Sequence, residues 1–182
     1  MKKQFRVFLR ALEPEDYEII HKWRNDDEVA LFFSGTRRFT STLNEKKWLE
    51  DRIFDRNSVS CVTCLKETGE AIGCVFINSI DLLNKNGVSG CFIGEKQHWS
   101  KGYATDALIL MLKHVFYDKG LERVWAGVFE ENTASLRMAE KCGYKVEGLM
   151  RKGAFVDGEF KNIVIVGVLR EDFEKVLEQY EV

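Results

Sequence analysis

The residues whose types and order could do chemistry lie between Cys91 and Ala107, where a short apolar run leads into a polar loop and then a helix. Helical spacing is seen for Ala104, Ala107, Leu108, Met111 and Val115. Gly102 stands where that helix opens. The first N–H groups of a helix have no intrahelical partner, and the helix dipole adds positive charge there. The stretch therefore predicts a phosphate-binding site, in which Gly102 would let a ligand approach the backbone. The alternative is a strand-to-helix loop that binds nothing, because a short glycine pattern is weak evidence by itself.

A second stretch, Asn132 to Tyr144, also has the form of a helix with both ends marked. Asn132 is a typical N-cap residue. Gly143 follows the last helical position, where a Schellman cap requires glycine. Ser135 lies in the first turn, where its side chain can bond the cap.

Together the two stretches resemble the GNAT N-acetyltransferase superfamily. The loop from Trp99 to Ala104 is similar to the acetyl-CoA pyrophosphate loop, usually written Gln/Arg-x-x-Gly-x-Gly/Ala, and both Gly102 and Ala104 match it. The second stretch is similar to the pattern Asn-x-x-Ala/Ser followed by Glu-Lys-x-Gly-Phe/Tyr. The form of the loop is the one seen in the ribosomal-protein (RimJ/RimL-like) and polyamine-acetyltransferase branch. Two motifs in this order are far more specific than either alone.

The resemblance implies an α/β fold with a mixed sheet, in which splayed central parallel strands carry helices on both faces. It spans nearly the whole chain, so we expect one domain over residues 1–182. It implies acetyl-CoA as cosubstrate and no metal. In the family, the pantetheine arm enters the gap between the central strands. The residues that the resemblance assigns to cofactor binding are Cys91, Phe92, Ile93, Trp99, Ser100, Lys101, Gly102, Tyr103, Ala104, Asn132 and Ser135.

One departure from the family concerns the catalytic acid. Many members carry a tyrosine just before Glu-Lys, which protonates the leaving thiolate, but here the position is Ala139. RimL-like members often lack this tyrosine too, and a serine three residues after the asparagine has been assigned the acid role in them, so Ser135 is the predicted catalytic residue. A purely structural role for Ser135 remains the alternative. Ala139 also leaves open a catalytically inert acyl-CoA-binding module. A doubly wound nucleotide binder is disfavoured, because the first strand has no glycine-rich turn.

The general base is not identified from the sequence. Glu95 and Glu28 are candidates, although each is more often a solvated surface carboxylate. Thr42 to Glu45 fits a capping box, which would occupy Glu45 as a cap. The resemblance places His98 near the cofactor phosphates.

Composition limits the partners. The chain has 182 residues, 45% hydrophobic and 31% charged, which is typical of a soluble globular domain. A net charge of −2 supplies no basic field for nucleic acid and slightly favours cationic acceptors. The sequence has no apolar run long enough to span a membrane and no secretory signal. The odd number of cysteines, 5, indicates a reducing, cytoplasmic compartment. The expected acceptor is a primary amine of a protein N-terminus, a polyamine or an amino sugar, and a homodimer is compatible with the resemblance.

Apolar patterning predicts seven strands, at Phe5–Leu12, Val59–Leu65, Ala71–Ile80, Val88–Ile93, Arg123–Phe129, Val146–Val156 and Glu159–Leu169. The 37 residues from Val88 to Val124 imply a parallel crossover around the loop motif. Phe32, Phe33 and Phe39 are predicted in an irregular segment, and Asp157-Gly158 in a turn.

Overall fold

A computed structural model describes residues 2–30, 39–156 and 158–181. Its strands are β1 (Val7–Ala11), β2 (Val59–Leu65), β3 (Ala71–Asp81), β4 (Asn86–Ile93), β5 (Arg123–Phe129), β6 (Lys145–Val156) and β7 (Glu159–Leu169). They form one mixed sheet in the order β1-β2-β3-β4-β5-β7-β6. All seven predicted strands are confirmed, and every end lies within two residues of the predicted one. Phe32, Phe33 and Asp157 lie outside the described residues.

The described helices are α1 (Tyr17–Arg24), α2 (Asp27–Ala30), α3 (Thr42–Phe54), α4 (Tyr103–Lys113), α5 (Thr133–Lys141) and α6 (Arg170–Leu177). Short 3₁₀ turns cover Pro14–Asp16 and Lys96–His98, and one π-helical turn, His114–Asp118, extends α4. Among the described residues, no helix is long and apolar enough to cross a membrane.

Helices cover both faces of the sheet, as predicted. On one face α1 and α3 bury Ile20, Trp23 and Leu49 against Val62 and Phe92. On the other face α4, α5 and α6 form a larger core, to which the sheet contributes the inward side chains of β1, β3 and β5. Each core removes apolar side chains from water, which is the main free-energy gain of folding.

The two parallel strands separate after three residue pairs. β4 and β5 pair at Asn86–Arg123, Gly87–Val124 and Val88–Trp125. Beyond that point β4 stays paired with β3 as far as Ile93, and β5 stays paired with β7 as far as Phe129. Each strand is therefore held by its outer neighbour while a gap opens between them. The predicted splayed strands are confirmed.

The predicted capping box at the start of α3 is wrong. The N-cap is Ser41, whose Oγ accepts a hydrogen bond from the N–H of Asn44 at 3.2 Å. Glu45 is fully buried and instead accepts from Nη1 of Arg24 at 3.2 Å. Burial raises the pKa of Glu45, and the nearby Arg24 guanidinium opposes that rise. A buried carboxylate needs a cationic partner more than a helix start needs a second cap.

Candidate active site

The polar loop between β4 and α4 presents free amides on one side. Gly102 has φ of +82°, in the left-handed region that glycine adopts without strain. The carbonyl of Lys101 accepts from Nη1 of Arg6 at 2.8 Å, and the carbonyl of Gly102 accepts from the N–H of Asp106 at 3.1 Å. Within the described chain, no hydrogen bond occupies the N–H groups of Gly102, Tyr103 and Ala104. The loop therefore has its carbonyls engaged and its amides available to an anion.

A cavity of about 370 Å³ lies against this loop. Most of the predicted cofactor-binding residues line it, namely Cys91, Phe92, Ile93, Trp99, Ser100, Gly102, Tyr103, Ala104 and Ser135. Lys101 is not among the lining residues, and its carbonyl accepts from Arg6, which does not line this cavity either. Two basic residues of α5, Arg137 and Lys141, also face this cavity, so its surroundings suit a phosphate group.

A second cavity of about 380 Å³ fills the gap between β4 and β5. It shares Cys91, Phe92, Ser135 and Met138 with the first cavity, so the two adjoin. Asn132 lines this second cavity rather than the first. Its walls are mainly apolar and aromatic, from both strands, from α5 and from β7. The sheet thus contains a channel that runs from the loop to the point where the strands meet.

Alternation along β4 determines which amides face the channel. The N–H of Gly94 donates to the carbonyl of Ile72 on β3 at 2.8 Å. Because successive residues of a strand direct their N–H groups to opposite neighbours, Phe92 faces β3 while Cys91 and Ile93 face the gap. The carbonyl of Ile93 accepts from the Trp99 indole N–H at 2.7 Å. Trp99 therefore joins the loop to the end of β4, and the amide of Cys91 points into the channel.

Helix α5 brings the second motif to the same channel. The side-chain oxygen of Asn132 accepts from the N–H of Ser135 at 3.0 Å, which confirms the predicted N-cap. Ser135 is half-buried at the junction of the two cavities. Ala139 also lines the channel and is 5% exposed, but its methyl group donates no proton. Of the two positions, Ser135 is the one with a hydroxyl beside the cleft.

A hydroxyl pair that the sequence analysis missed closes the narrow end of the channel. Oγ of Ser89 lies 2.7 Å from the hydroxyl of Tyr144, just beyond the last residue pair of the parallel strands. The Schellman cap orients Tyr144: its N–H donates to the carbonyl of Ala139 at 3.0 Å, and Gly143 has φ of +91°. Burial raises the pKa of Tyr144, although the bond with Ser89 opposes it, so the phenol stays protonated. The Gly-Tyr that ends the second motif could have indicated Tyr144 from the sequence, whereas nothing in the sequence indicates Ser89.

The candidate bases lie away from the channel. Burial would raise the pKa of Glu95, but hydrogen bonds from the Trp23 indole and two other side chains outweigh it and leave that pKa lowered. Glu28 pairs with Lys96 at 3.3 Å. His98 lines the cavity beside the loop. Among the described residues that line the gap between β4 and β5, none is a carboxylate or a histidine.

The separated parallel strands and the loop of free amides define an acetyltransferase of the GNAT type. The chain belongs to that family: the model described as Acetyltransferase (GNAT) domain matches residues 6–145.

Among its relatives is the SPbeta prophage-derived uncharacterized N-acetyltransferase YokL of Bacillus subtilis (strain 168), 27% identical over 167 residues that cover 91% of each chain. Spermidine N(1)-acetyltransferase of Escherichia coli (strain K12) is 24% identical over 176 residues, 95% of this chain and 91% of the relative. The crystal structure of spermidine N-acetyltransferase from Vibrio cholerae in complex with CoA and spermine superposes with a TM-score of 0.86 at 21% identity, covering 93% of this chain and 98% of that one. The predicted superfamily and branch are confirmed, and the chain is an acetyl-CoA-dependent N-acetyltransferase.

Proposed function

We propose that acetyl-CoA binds with its diphosphate on the amides of Gly102, Tyr103 and Ala104 and its pantetheine arm along β4. The free N–H groups at the start of α4 supply the donors that a phosphate requires. The adjoining cavities give a continuous path from this loop into the strand gap. There the N–H groups of Cys91 and Ile93 have no partner strand, so an extended arm can pair with them. The proposal rests on one observation: the loop of free amides, the continuous path and the unpaired edge of β4 lie in the order that the diphosphate and the pantetheine arm require.

Bound in this way, acetyl-CoA would supply the thioester carbonyl that an amine attacks directly, within a ternary complex. The amide of Cys91 is then placed to donate to the carbonyl oxygen as charge develops there. Ser135, beside the cleft, donates its hydroxyl proton to the departing thiolate and takes a proton back from solvent. The apolar walls of the gap exclude water from the reacting groups. The proton of the acceptor amine leaves to solvent at the mouth, since no described carboxylate lines the gap. Holding both reactants together replaces much of the entropic cost of their encounter.

The proposed acceptor is a primary amine. Among the acceptor classes we favour a polyamine over a protein N-terminus or an amino sugar. Two observations favour a polyamine: the polyamines for which the Escherichia coli and Vibrio cholerae proteins are named, and the net charge of −2. The test is a thiol-release assay with acetyl-CoA against spermidine, spermine, glucosamine and short peptides, with mass spectrometry of the product. We expect turnover with a polyamine and one acetyl group on its product. Turnover confined to peptides or to the sugar would refute the polyamine assignment.

Family membership favours catalysis over the expected alternative, a module that binds acyl-CoA without catalysis, and the one observation on the side of that alternative is the methyl group of Ala139 facing the cleft. Calorimetry separates the two functions. Binding of CoA together with no thiol release from any amine would establish the inert module.

A further inference from the structure

A buried carboxylate lies directly behind the proposed diphosphate loop. Asp106 is in the first turn of α4 and is 3% exposed. A negative charge at a helix N-terminus stabilises the helix, but it also opposes the binding of a second anion at the same end. The loop can therefore hold a diphosphate well only if the charge of Asp106 is cancelled.

Arg6, which precedes β1, supplies that cancellation. Its Nε lies 2.9 Å from Oδ2 of Asp106, and its backbone N–H donates to the same oxygen at 3.3 Å. Its Nη1 donates to the carbonyl of Lys101 at 2.8 Å, and its guanidinium lies over the ring of Tyr103, 5.0 Å from the centroid. A Cβ built on Gly102 would lie 3.0 Å from its Nη2. One side chain thus touches the loop and the first turn of α4 at several points.

Arg6 contacts the loop without lining the cofactor cavity. It lines a neighbouring cavity of about 640 Å³ together with Asp106, and that cavity shares Gly102, Thr105 and Lys141 with the cofactor cavity. Because Arg6 holds the carbonyl of Lys101 away from the cofactor cavity, the N–H groups that follow it in the chain point toward that cavity. A guanidinium can do this because its fork donates in two directions at once.

We propose that Arg6 is a positioning residue for coenzyme binding: it orients the diphosphate loop and neutralises Asp106 without touching the coenzyme. The proposal rests on the proposed function, since it assumes that this loop holds the diphosphate. It makes coenzyme affinity depend on a contact between residues 100 positions apart.

The test is a double-mutant cycle read by calorimetry with coenzyme A itself. We expect Arg6→Met to weaken CoA binding about 10- to 100-fold, as for the loss of a hydrogen-bonded charge pair. Asp106→Asn keeps the acceptor for Arg6, so its affinity should stay within about threefold of wild type. The double variant should regain part of the affinity that Arg6→Met loses, because the uncancelled charge is gone while the loop stays loose. In turnover, Arg6→Met should raise KM for acetyl-CoA and leave KM for the amine unchanged.

Arg10→Met is the matched control. Arg10 lies on β1 and pairs with the buried Asp16 at 2.7 Å, so its loss breaks the same kind of ion pair away from the loop. We expect it to lower Tm without changing CoA affinity. Equal CoA binding by Arg6→Met and wild type would overturn the proposal, and so would an equal loss in Arg10→Met. If Arg6→Met does not fold, an unchanged affinity in Arg6→Lys, which keeps the charge but loses the fork, would overturn the orienting role. Failure of the wild-type protein to bind CoA would instead overturn the proposed function.

Discussion

Replacing Gly102 by alanine measures how far coenzyme binding depends on the backbone shape of the loop. Gly102 has φ of +82°, and an L-residue in the left-handed region costs about 1–2 kcal/mol. The added Cβ would also lie 3.0 Å from Nη2 of Arg6, a flexible end that must move. If Arg6 then loses its bond to the carbonyl of Lys101, roughly 1 kcal/mol more is lost. We therefore expect Gly102→Ala to lower the free energy of unfolding by about 2–3 kcal/mol.

The effect on coenzyme binding should exceed what this loss of stability explains. A loop that relaxes away from the left-handed conformation turns its forward amides out of line. Loss of one hydrogen bond to a charged group, about 1.5–3 kcal/mol, corresponds to a 10-fold or greater loss of CoA affinity by calorimetry. This outcome would also explain why glycine is needed here: the space beside its α-carbon is filled by Arg6 of the chain itself.

Gly120→Ala is the control for strain alone. Gly120 has φ of +70°, but a Cβ there would meet nothing within 4 Å. We expect a loss of about 1–2 kcal/mol, which for a chain of this length lowers Tm by about 2–8 °C. Its CoA affinity should not change. Wild-type affinity in Gly102→Ala, measured beside this control, would refute the assignment of the loop.

Three further outcomes follow from the site. Ser135→Ala should lower kcat about 100-fold or more in the thiol-release assay with CoA affinity unchanged, if Ser135 is the proton donor; undiminished turnover removes it from the mechanism. Burial raises the pKa of Cys91 to about 12, so its thiol should resist iodoacetamide at pH 8, and rapid alkylation seen by peptide mass spectrometry would contradict this. The lowered pKa of Glu95 means that its charge stabilises the fold above its ordinary pKa of 4.5 and that this contribution is lost as pH falls through the lowered value. Glu95→Gln should therefore destabilise the protein in urea at pH 7 and much less near pH 3, and a pH-independent difference would refute the shift.

Local pattern was sufficient to predict most of the fold. The strand Arg123–Phe129 has the predicted bounds because a run that is apolar on both faces belongs in the centre of a covered sheet. The Schellman cap at Gly143 and the N-cap at Asn132 were predictable for a similar reason, since each depends on residues within one turn of the helix end. The capping box at Thr42 to Glu45 failed because burial of Glu45 against Arg24 is a tertiary effect.

The parts of the site that the sequence could not predict depend on contacts between distant segments. Ser89 and Tyr144 are 55 positions apart, and neither pattern points to the other. The link from Arg6 to Asp106 joins the residue before the first strand to the helix after the motif. Periodicity indicates which side of an element is buried, but it carries no information about which side chains meet across the core.

The three residue pairs between β4 and β5 have a consequence for the protein as a whole. Past Val88 and Trp125, the facing edges of β4 and β5 have unpaired main-chain groups. Strand edges of this kind normally pair with a strand from another molecule. Here these edges lie beneath α5, so only a narrow, extended ligand can reach them. We expect such a ligand to hydrogen-bond to these edges and so to link the two halves of the sheet. Amide hydrogen exchange should therefore slow on both strands when coenzyme is added.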